Sequence, residues 1–314
     1  MLKHDQPEQP PHRAGFVALV GRPNVGKSTL LNRLLGQKLA IVSSKPQTTR
    51  GRILGILSRP DAQILLLDTP GLHEAKGGLN ARMVQSALQT LASADVALFL
   101  IEATKTPAID SATRKALEQV KAARKPTLLV INKIDLLPKE LLLPLIGRWK
   151  DEHAWTDVYP LSALDGDNVP GFLDQLVKHL PEGPSLFGED VWTDVPERAL
   201  CGELVREQIL QRTEQEVPYS CAVVVEEFDE SARNVGARGL VRIHAQVLVE
   251  RDSQKAIVIG KGGSMLKAIG TQSRLQMERL LGCKVFLELH VRVEPDWTRT
   301  EKGMRRAGYD QDKP

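Results

Sequence analysis

Aromatic residues are scarce, with Phe, Trp and Tyr together at 4% of the 314 residues, so any core must be mostly aliphatic. Cysteine is scarcer still. Cys201, Cys221 and Cys283 never approach a C-x-x-C spacing, which argues against a zinc site or a disulfide framework and suits a reducing compartment. No apolar run approaches the roughly 18 residues of a membrane-spanning helix. The polar, proline-rich opening MLKHDQPEQPPHRAG lacks the apolar stretch of a signal peptide. Hydrophobic residues at 42% and charged residues at 26% match a globular composition and exclude wholesale disorder.

Charge is not strongly of one sign, but it is unevenly spread. Residues 1–232 carry 26 Lys and Arg against 30 Asp and Glu, whereas residues 233–314 carry 16 against 9, giving −4 and +7 around a net +3. A solvated basic surface and attraction to a polyanion such as nucleic acid both fit that excess.

Short aliphatic runs alternate with amphipathic stretches from Gly15 to about Leu180. FVALV, RILGIL, QILLLD, VALFLI, TLLVIN and VYPLS read as strands, most of them apolar on both faces as in a covered parallel sheet. The stretches at Lys27–Leu35, Leu79–Leu91, Ser111–Ala123 and Val169–Leu180 read as helices, so this part is an α/β domain. PEGPSLFGED interrupts the pattern. The expected division is a disordered tail at 1–14, a first domain at 15–180, a linker at 181–196 and a small α+β domain at 197–314. In the last, Glu197–Thr213 has helical spacing, Leu240–Glu250 and Lys284–Glu294 alternate strictly, and Tyr219–Glu227 supplies a third strand.

Gly21–Ser28, GRPNVGKS, follows the first strand and opens the first helix, the context that a G-x-x-x-x-G-K-[ST] loop requires. Backbone amides from Gly21 through Asn24, Val25, Gly26 and Thr29 would wrap phosphates. Lys27 would reach the β and γ oxygens, and the Ser28 hydroxyl would ligate Mg²⁺. Four fixed positions match by chance on the order of 1% of the time in a chain this long. DTPG ends the third run, placing Asp68 to hold the metal through water and the Gly71 amide to sense a γ-phosphate. NKID closes the fifth. The Asp135 carboxylate can accept from guanine N1–H and the exocyclic amine, a donor pair adenine lacks, which selects GTP over ATP. Asn132 would tie this loop to the phosphate loop, the Lys133 stem would lie over the base, and Ser162-Ala163-Leu164 would offer an amide to guanine O6.

GRPNVGKS, PQTTR (Pro46–Arg50), DTPGL, NKID and SAL, in that order and spacing, resemble the five boxes of a translation-factor-class GTPase, most closely the Era branch, which joins a P-loop GTPase domain to a C-terminal KH domain. The resemblance implies a switch I with Thr48 and Thr49, Thr49 being the metal ligand in the GTP state. Together with Lys27 and Asn24, Thr49 then forms the expected catalytic set. Leu72 stands where Ras-like enzymes place a water-orienting glutamine, so slow intrinsic hydrolysis is expected. Related GTPases with an asparagine at the Asn24 position use K⁺, which here would be held by Asn24 and oxygens near Ser43, Lys45 and Thr48.

G-x-x-G is expected about twice by chance at this glycine content, and it occurs at Gly236–Gly239 and Gly260–Gly263. The first lies in a polar loop between strands and reads as a hairpin turn. The second, GKGG, follows a short segment capped by Ser253 and precedes a helix, so the order of elements is that of a type II KH fold. Ile259, Gly260, Lys261, Gly262, Gly263 and Lys267 would contact single-stranded RNA, with the apolar residues around Ile257–Ile259 flooring its groove. Thr298 and Glu301 form a capping box for a short helix whose Arg305 and Arg306 extend the basic surface. By resemblance the partners are GTP and GDP, the 3′ end of small-subunit ribosomal RNA and the 30S-type subunit. The implied setting is small-subunit assembly in the cytoplasm, with peripheral contact at the inner face of the cell membrane. The alternative is a nucleotide-sensing module with little turnover that contacts protein or membrane.

Overall fold

The computed structural model describes residues 11–72, 78–104, 109–236 and 239–309. The expected tail at 1–14 lies outside the described residues up to position 10. Its last residues are ordered, because strand β1 begins at Arg13, where the Arg13 amide donates to the Asp61 carbonyl at 3.1 Å.

In chain order the elements are β1 (Arg13–Val20), α1 (Lys27–Leu35), β2 (Ile53–Ser58), β3 (Ala62–Asp68), α2 (Gly78–Ser93), β4 (Val96–Glu102), α3 (Ser111–Ala123), β5 (Thr127–Asn132), α4 (Leu142–Lys150), β6 (Asp157–Leu161) and α5 (Val169–Lys178). There follow α6 (Glu197–Arg212), α7 (Val217–Ser220), β7 (Ala222–Ala232), β8 (Leu240–Val249), α8 (Asp252–Ile259), α9 (Ser264–Leu281), β9 (Lys284–Val293) and α10 (Glu301–Arg306). By its contacts the chain forms two compact units. One takes in residues up to Ala40, Arg52–Leu72 and Ala87–Asp194; the other takes in Ile41–Gly51, the segment ending at Ser86, and Val195 onward.

The first unit is built on a six-stranded sheet in the order β2-β3-β1-β4-β5-β6, parallel except for the β2–β3 pair. All seven residues of β3 and all six of β5 are buried, as aliphatic strands covered on both faces must be. One face packs Phe99, Ile101, Leu129 and Ile131 against Leu91, Leu117, Val120 and Trp149. α3 starts where the Asp110 carboxylate accepts from the Thr113 amide at 2.7 Å, and α1 stops at Gly36, which adopts the left-handed conformation. All parallel strands deliver their carboxyl ends to one edge, where the phosphate-loop, DTPG, NKID and SAL segments begin.

The segment expected to be a linker, 181–196, behaves otherwise up to Asp194. The Ile56 amide donates to the Trp192 carbonyl at 2.8 Å, the Thr193 hydroxyl donates to the Leu54 carbonyl at 2.7 Å, and the Gln63 side chain accepts from the amides of Leu186 and Phe187. The edge strand β2 is thereby paired instead of being left open.

The second unit centres on a three-stranded sheet, β7-β8-β9, with β7 antiparallel and β9 parallel to β8. Val241, Ile243, Ala245, Val247 and Val249 of β8, which share the predicted face, are all buried with Val205, Ile209, Ile269 and Met277 of α6 and α9. A smaller core gathers Leu79 and Met83 with Trp297, Met304 and Ala307. Two caps differ from expectation. Arg251, not Ser253, precedes α8, because the Gln254 side chain already accepts from the Glu250 and Arg251 amides. Thr300, not Thr298, caps α10, its hydroxyl accepting from the Gly303 amide at 3.1 Å, while Thr298 gives its hydroxyl to Glu250 at 2.6 Å.

Candidate functional site

The phosphate loop bends sharply out of β1 into α1. Gly26 has φ +96°, and a Cβ there would come within 2.2 Å of the Asn132 amide nitrogen, so only glycine fits the approach. Lys27 is 6% exposed, with Nζ donating to the Arg22 carbonyl at 3.1 Å. Burial pushes its pKa down to about 8, against the opposing charge of Asp68. An ammonium so placed is short of negative charge, which phosphate oxygens would supply. The Ser28 hydroxyl donates to Asp68 Oδ2 at 2.7 Å, and Asp68 is fully buried. A hydroxyl and a carboxylate side by side are hard oxygen donors of the kind Mg²⁺ prefers, so these residues fit the metal.

Gly71 lies against Pro23: a Cβ at Gly71 would stand 2.7 Å from the Pro23 nitrogen. The Leu72 amide donates to the Gly21 carbonyl at 3.2 Å, and its side chain is buried in the core. The two segments on which γ-phosphate sensing would depend are therefore in direct contact.

Asn132 is 1% exposed and joins three segments. Its amide nitrogen donates to the Val25 carbonyl at 2.8 Å, and its oxygen accepts from the Ala163 amide at 2.9 Å. Asp135 is exposed on the turn after Lys133, whose φ is +66° and whose ammonium pairs with Glu102 at 3.2 Å. Ser162 and Ala163 are buried, and Leu164 is 65% exposed. Two arginines escape sequence reasoning. Arg33 on α1 donates from Nε to the Ala163 carbonyl at 3.0 Å and from Nη2 to the Leu164 carbonyl. Arg22 bridges Glu102 and Asp110. Neither is a fixed position of a motif, so only the fold reveals them.

Gly21, Asn24, Val25, Gly26, Lys27, Ser28, Thr29, Asp68, Gly71, Asn132, Lys133, Asp135, Ser162, Ala163 and Leu164 all fall in the first unit. Ser43, Lys45, Thr48 and Thr49 fall in the second. The Lys45 amide donates to the Ser43 hydroxyl at 2.9 Å, the Thr48 hydroxyl donates to the Lys45 carbonyl at 2.8 Å, and the Thr48 carbonyl accepts from Arg206.

In the second unit, GKGG joins α8 to α9. Gly262 and Gly263 have φ +59° and +79°, and their Cα atoms face open space, which leaves the backbone accessible. Lys261 and Lys267 are exposed, and Ile259 is half-buried. A cavity of about 410 Å³ runs from Gly263 along α9, with Leu266 and Gly270 on one side, Leu287 and Leu289 of β9 on the other, and Lys267 and Arg274 at its margin. The apolar lining of this cavity comes from α9 and β9. α8 turns Val258 into the core and leaves Ile257 44% exposed on the outside. Arg305 and Arg306 are exposed on α10, Arg306 pairing with Glu294 at 2.7 Å.

Residues 16–133 match the family described as 50S ribosome-binding GTPase, and residues 216–298 match the KH domain. GTPase Era of Syntrophus aciditrophicus is 47% identical over 299 residues, covering 95% of this chain and 96% of that protein. GTPase Era of Geotalea uraniireducens is 50% identical over 298 residues, covering 95% and 98%. A crystal structure of Era in complex with MgGDPNP and nucleotides 1506–1542 of 16S ribosomal RNA superposes with a TM-score of 0.89 at 43% identity, covering 95% of this chain and 99% of that one. A point variant of Aquifex aeolicus Era bound to GDP and AlF4⁻ gives 0.88, also at 43% and with the same coverage. With the phosphate loop, the NKID loop and the GKGG loop all in place along one chain, these relationships extend over nearly its full length, and the chain belongs to the Era family of GTPases.

Proposed function

We propose that this GTPase is a switch that binds single-stranded RNA near the 3′ end of small-subunit ribosomal RNA and acts in assembly of the small subunit. The observation that carries the reading is the match, over 95% of the chain, to an Era structure that holds MgGDPNP and a 16S RNA fragment. The charge excess of residues 233–314 and the groove beside GKGG supply the chemistry an RNA strand needs: an accessible backbone, apolar walls for unstacked bases, and Lys267 and Arg274 for phosphates. Residues 15–180 form the GTPase domain and 197–314 the RNA-binding domain.

In this reading Asp135 grips the guanine edge, Asn132 fixes the base loops to the phosphate loop, and Lys27 and the loop amides hold the phosphates. Mg²⁺ would be held by Ser28, Asp68 through water and, in the GTP state, Thr49, where it neutralises charge on the β and γ oxygens. Leu72 can neither donate nor accept a hydrogen bond through its side chain, so turnover without a partner is slow. Loss of the γ-phosphate frees Gly71 and Thr49. Potassium, held by Asn24 and oxygens near Ser43, Lys45 and Thr48, would neutralise charge developing between the β and γ phosphates; equal turnover in Na⁺ and K⁺ buffers, before and after Asn24→Ala, would remove it from the proposal. Among the described residues no helix is long and apolar enough to cross a membrane. Crosslinking to a 3′-terminal 16S fragment, mapped by mass spectrometry, tests the proposal: adducts should fall at Lys261, Lys267 and β9, and adducts confined elsewhere contradict it.

A further inference from the structure

The segment Ile41–Gly51, which includes PQTTR, is fastened within the second unit at three places. Near its start, the Val42 amide donates to Glu207 at 2.9 Å, and the exposed Gln211 reaches the Val42 carbonyl at 3.5 Å. Further on, Arg206 Nη2 donates to the Thr48 carbonyl, while the same guanidinium pairs with Glu203 at 2.8 Å through Nε. At its end, Arg50 donates to the Cys221 carbonyl at 2.6 Å and to the Pro218 and Tyr219 carbonyls at 3.0 Å each. The Arg50 guanidinium carbon also lies 5.7 Å from the Trp297 ring centre and 5.8 Å from that of Tyr309. Thr49, between the two arginine grips, is 7% exposed.

Arg206 is the unusual member. It is wholly buried, and although burial works against its charge, Glu203 holds its pKa above the ordinary arginine value. Yet its Nη1 has no hydrogen-bond partner among the described residues. Native interiors rarely keep such a donor, and one that persists calls for a reason beyond packing. Here Nη2 of the guanidinium is shared between the Glu203 carboxylate and the backbone carbonyl next to Thr49. A contact of that kind controls where the neighbouring residue can go.

We propose that Arg206, seconded by Arg50, is a positioning residue for the nucleotide response: it retains Thr48, and with it Thr49, in the second unit, and GTP engages Thr49 only when that grip is released. The inference rests on the reading of Thr49 as the metal ligand of the GTP state. A contact made in one state alone biases the equilibrium by its own free energy, and the bias is reciprocal. Weakening the grip must then tighten binding of GTP. GDP makes no demand on Thr49 and should be indifferent.

The test compares dissociation constants of GDPNP and GDP, with Mg²⁺, for the full chain and for Arg206→Leu and Glu203→Gln. A charge-assisted bond to a carbonyl predicts that Arg206→Leu binds GDPNP about 10-fold more tightly, with GDP changed by less than about two-fold. Glu203→Gln should move the ratio the same way by less, since Glu203 only steadies the guanidinium. Amides of 41–51 should exchange faster with deuterium in nucleotide-free Arg206→Leu than in the native chain. An unchanged ratio in folded Arg206→Leu, or weaker binding of both nucleotides together with a lower Tm, overturns the proposal. Should Arg206→Leu not fold, the half-exposed Glu203→Gln decides, and an unchanged ratio there overturns it equally. Failure of the native chain to bind GDPNP would overturn the proposed function too, so the first titration separates the two.

Discussion

Lys27 should take up a proton when the nucleotide site fills. Burial pulls its pKa from 10.5 down to about 8, a bias of roughly 3 kcal/mol against the charged form. Phosphate oxygens at Nζ favour that form and should return the pKa toward its ordinary 10.5. Near pH 8.5 the empty site is about one quarter protonated and the filled site almost fully so, giving an uptake of about 0.7 proton per GDP bound. The nucleotide's terminal phosphate titrates near 6 and is constant there. Calorimetric titration in buffers of different ionisation enthalpy measures the uptake directly, and Lys27→Met should abolish it. The same displacement fixes the sign of a stability effect. A lysine with a lowered folded-state pKa penalises the empty protein fully below about pH 8; the penalty shrinks as pH rises and is gone above 10.5. No uptake near pH 8.5, or an uptake that survives Lys27→Met, would refute the reasoning.

Asn132→Ala strands the buried Val25 carbonyl and Ala163 amide and should cost about 2–3 kcal/mol of nucleotide affinity, read as a Kd raised roughly 30- to 150-fold. Asp135→Asn removes the acceptor for guanine's two donors and should weaken GTP by about 100-fold or more while improving xanthine triphosphate, which offers an acceptor there; competition binding reads both. Lys267→Ala, on an exposed residue at the groove margin, should weaken RNA binding and lower the slope of log affinity against log salt by about 0.7, the single-strand value per phosphate; an unchanged slope in filter binding would remove Lys267 from the interface.

Much of the fold and site was legible before any coordinates because the chemistry is local. The phosphate loop, the DTPG turn and NKID each lie at a strand end, and strands such as QILLLD are recognisable by being apolar throughout. The alternation of β8 likewise predicted which face is buried. What failed depends on tertiary partners. Thr298 was expected to cap α10, but Glu250 takes its hydroxyl, and no sequence pattern foretells that competition. The proline-rich stretch after Leu180 reads as a free linker until Gln63 of β3 is seen to bond its backbone. Ile257–Ile259 reads as one apolar stretch, but the orientation of α8 divides it, turning Val258 into the core and leaving Ile257 exposed, while Leu287 and Leu289 line the cavity beside GKGG. Arg50 and Arg206 carry no motif signal as a pair, being about half the chain apart.

Guanine-nucleotide state and RNA held beside GKGG are coupled in the proposed switch, and a filter-binding titration of a 3′-terminal 16S RNA fragment, run at moderate salt with GDPNP, with GDP and without nucleotide, tests that coupling most directly. Affinity that is highest with GDPNP and weakened in Lys267→Ala is the predicted result. Absence of RNA binding in all three states, or binding indifferent to the nucleotide, would contradict it.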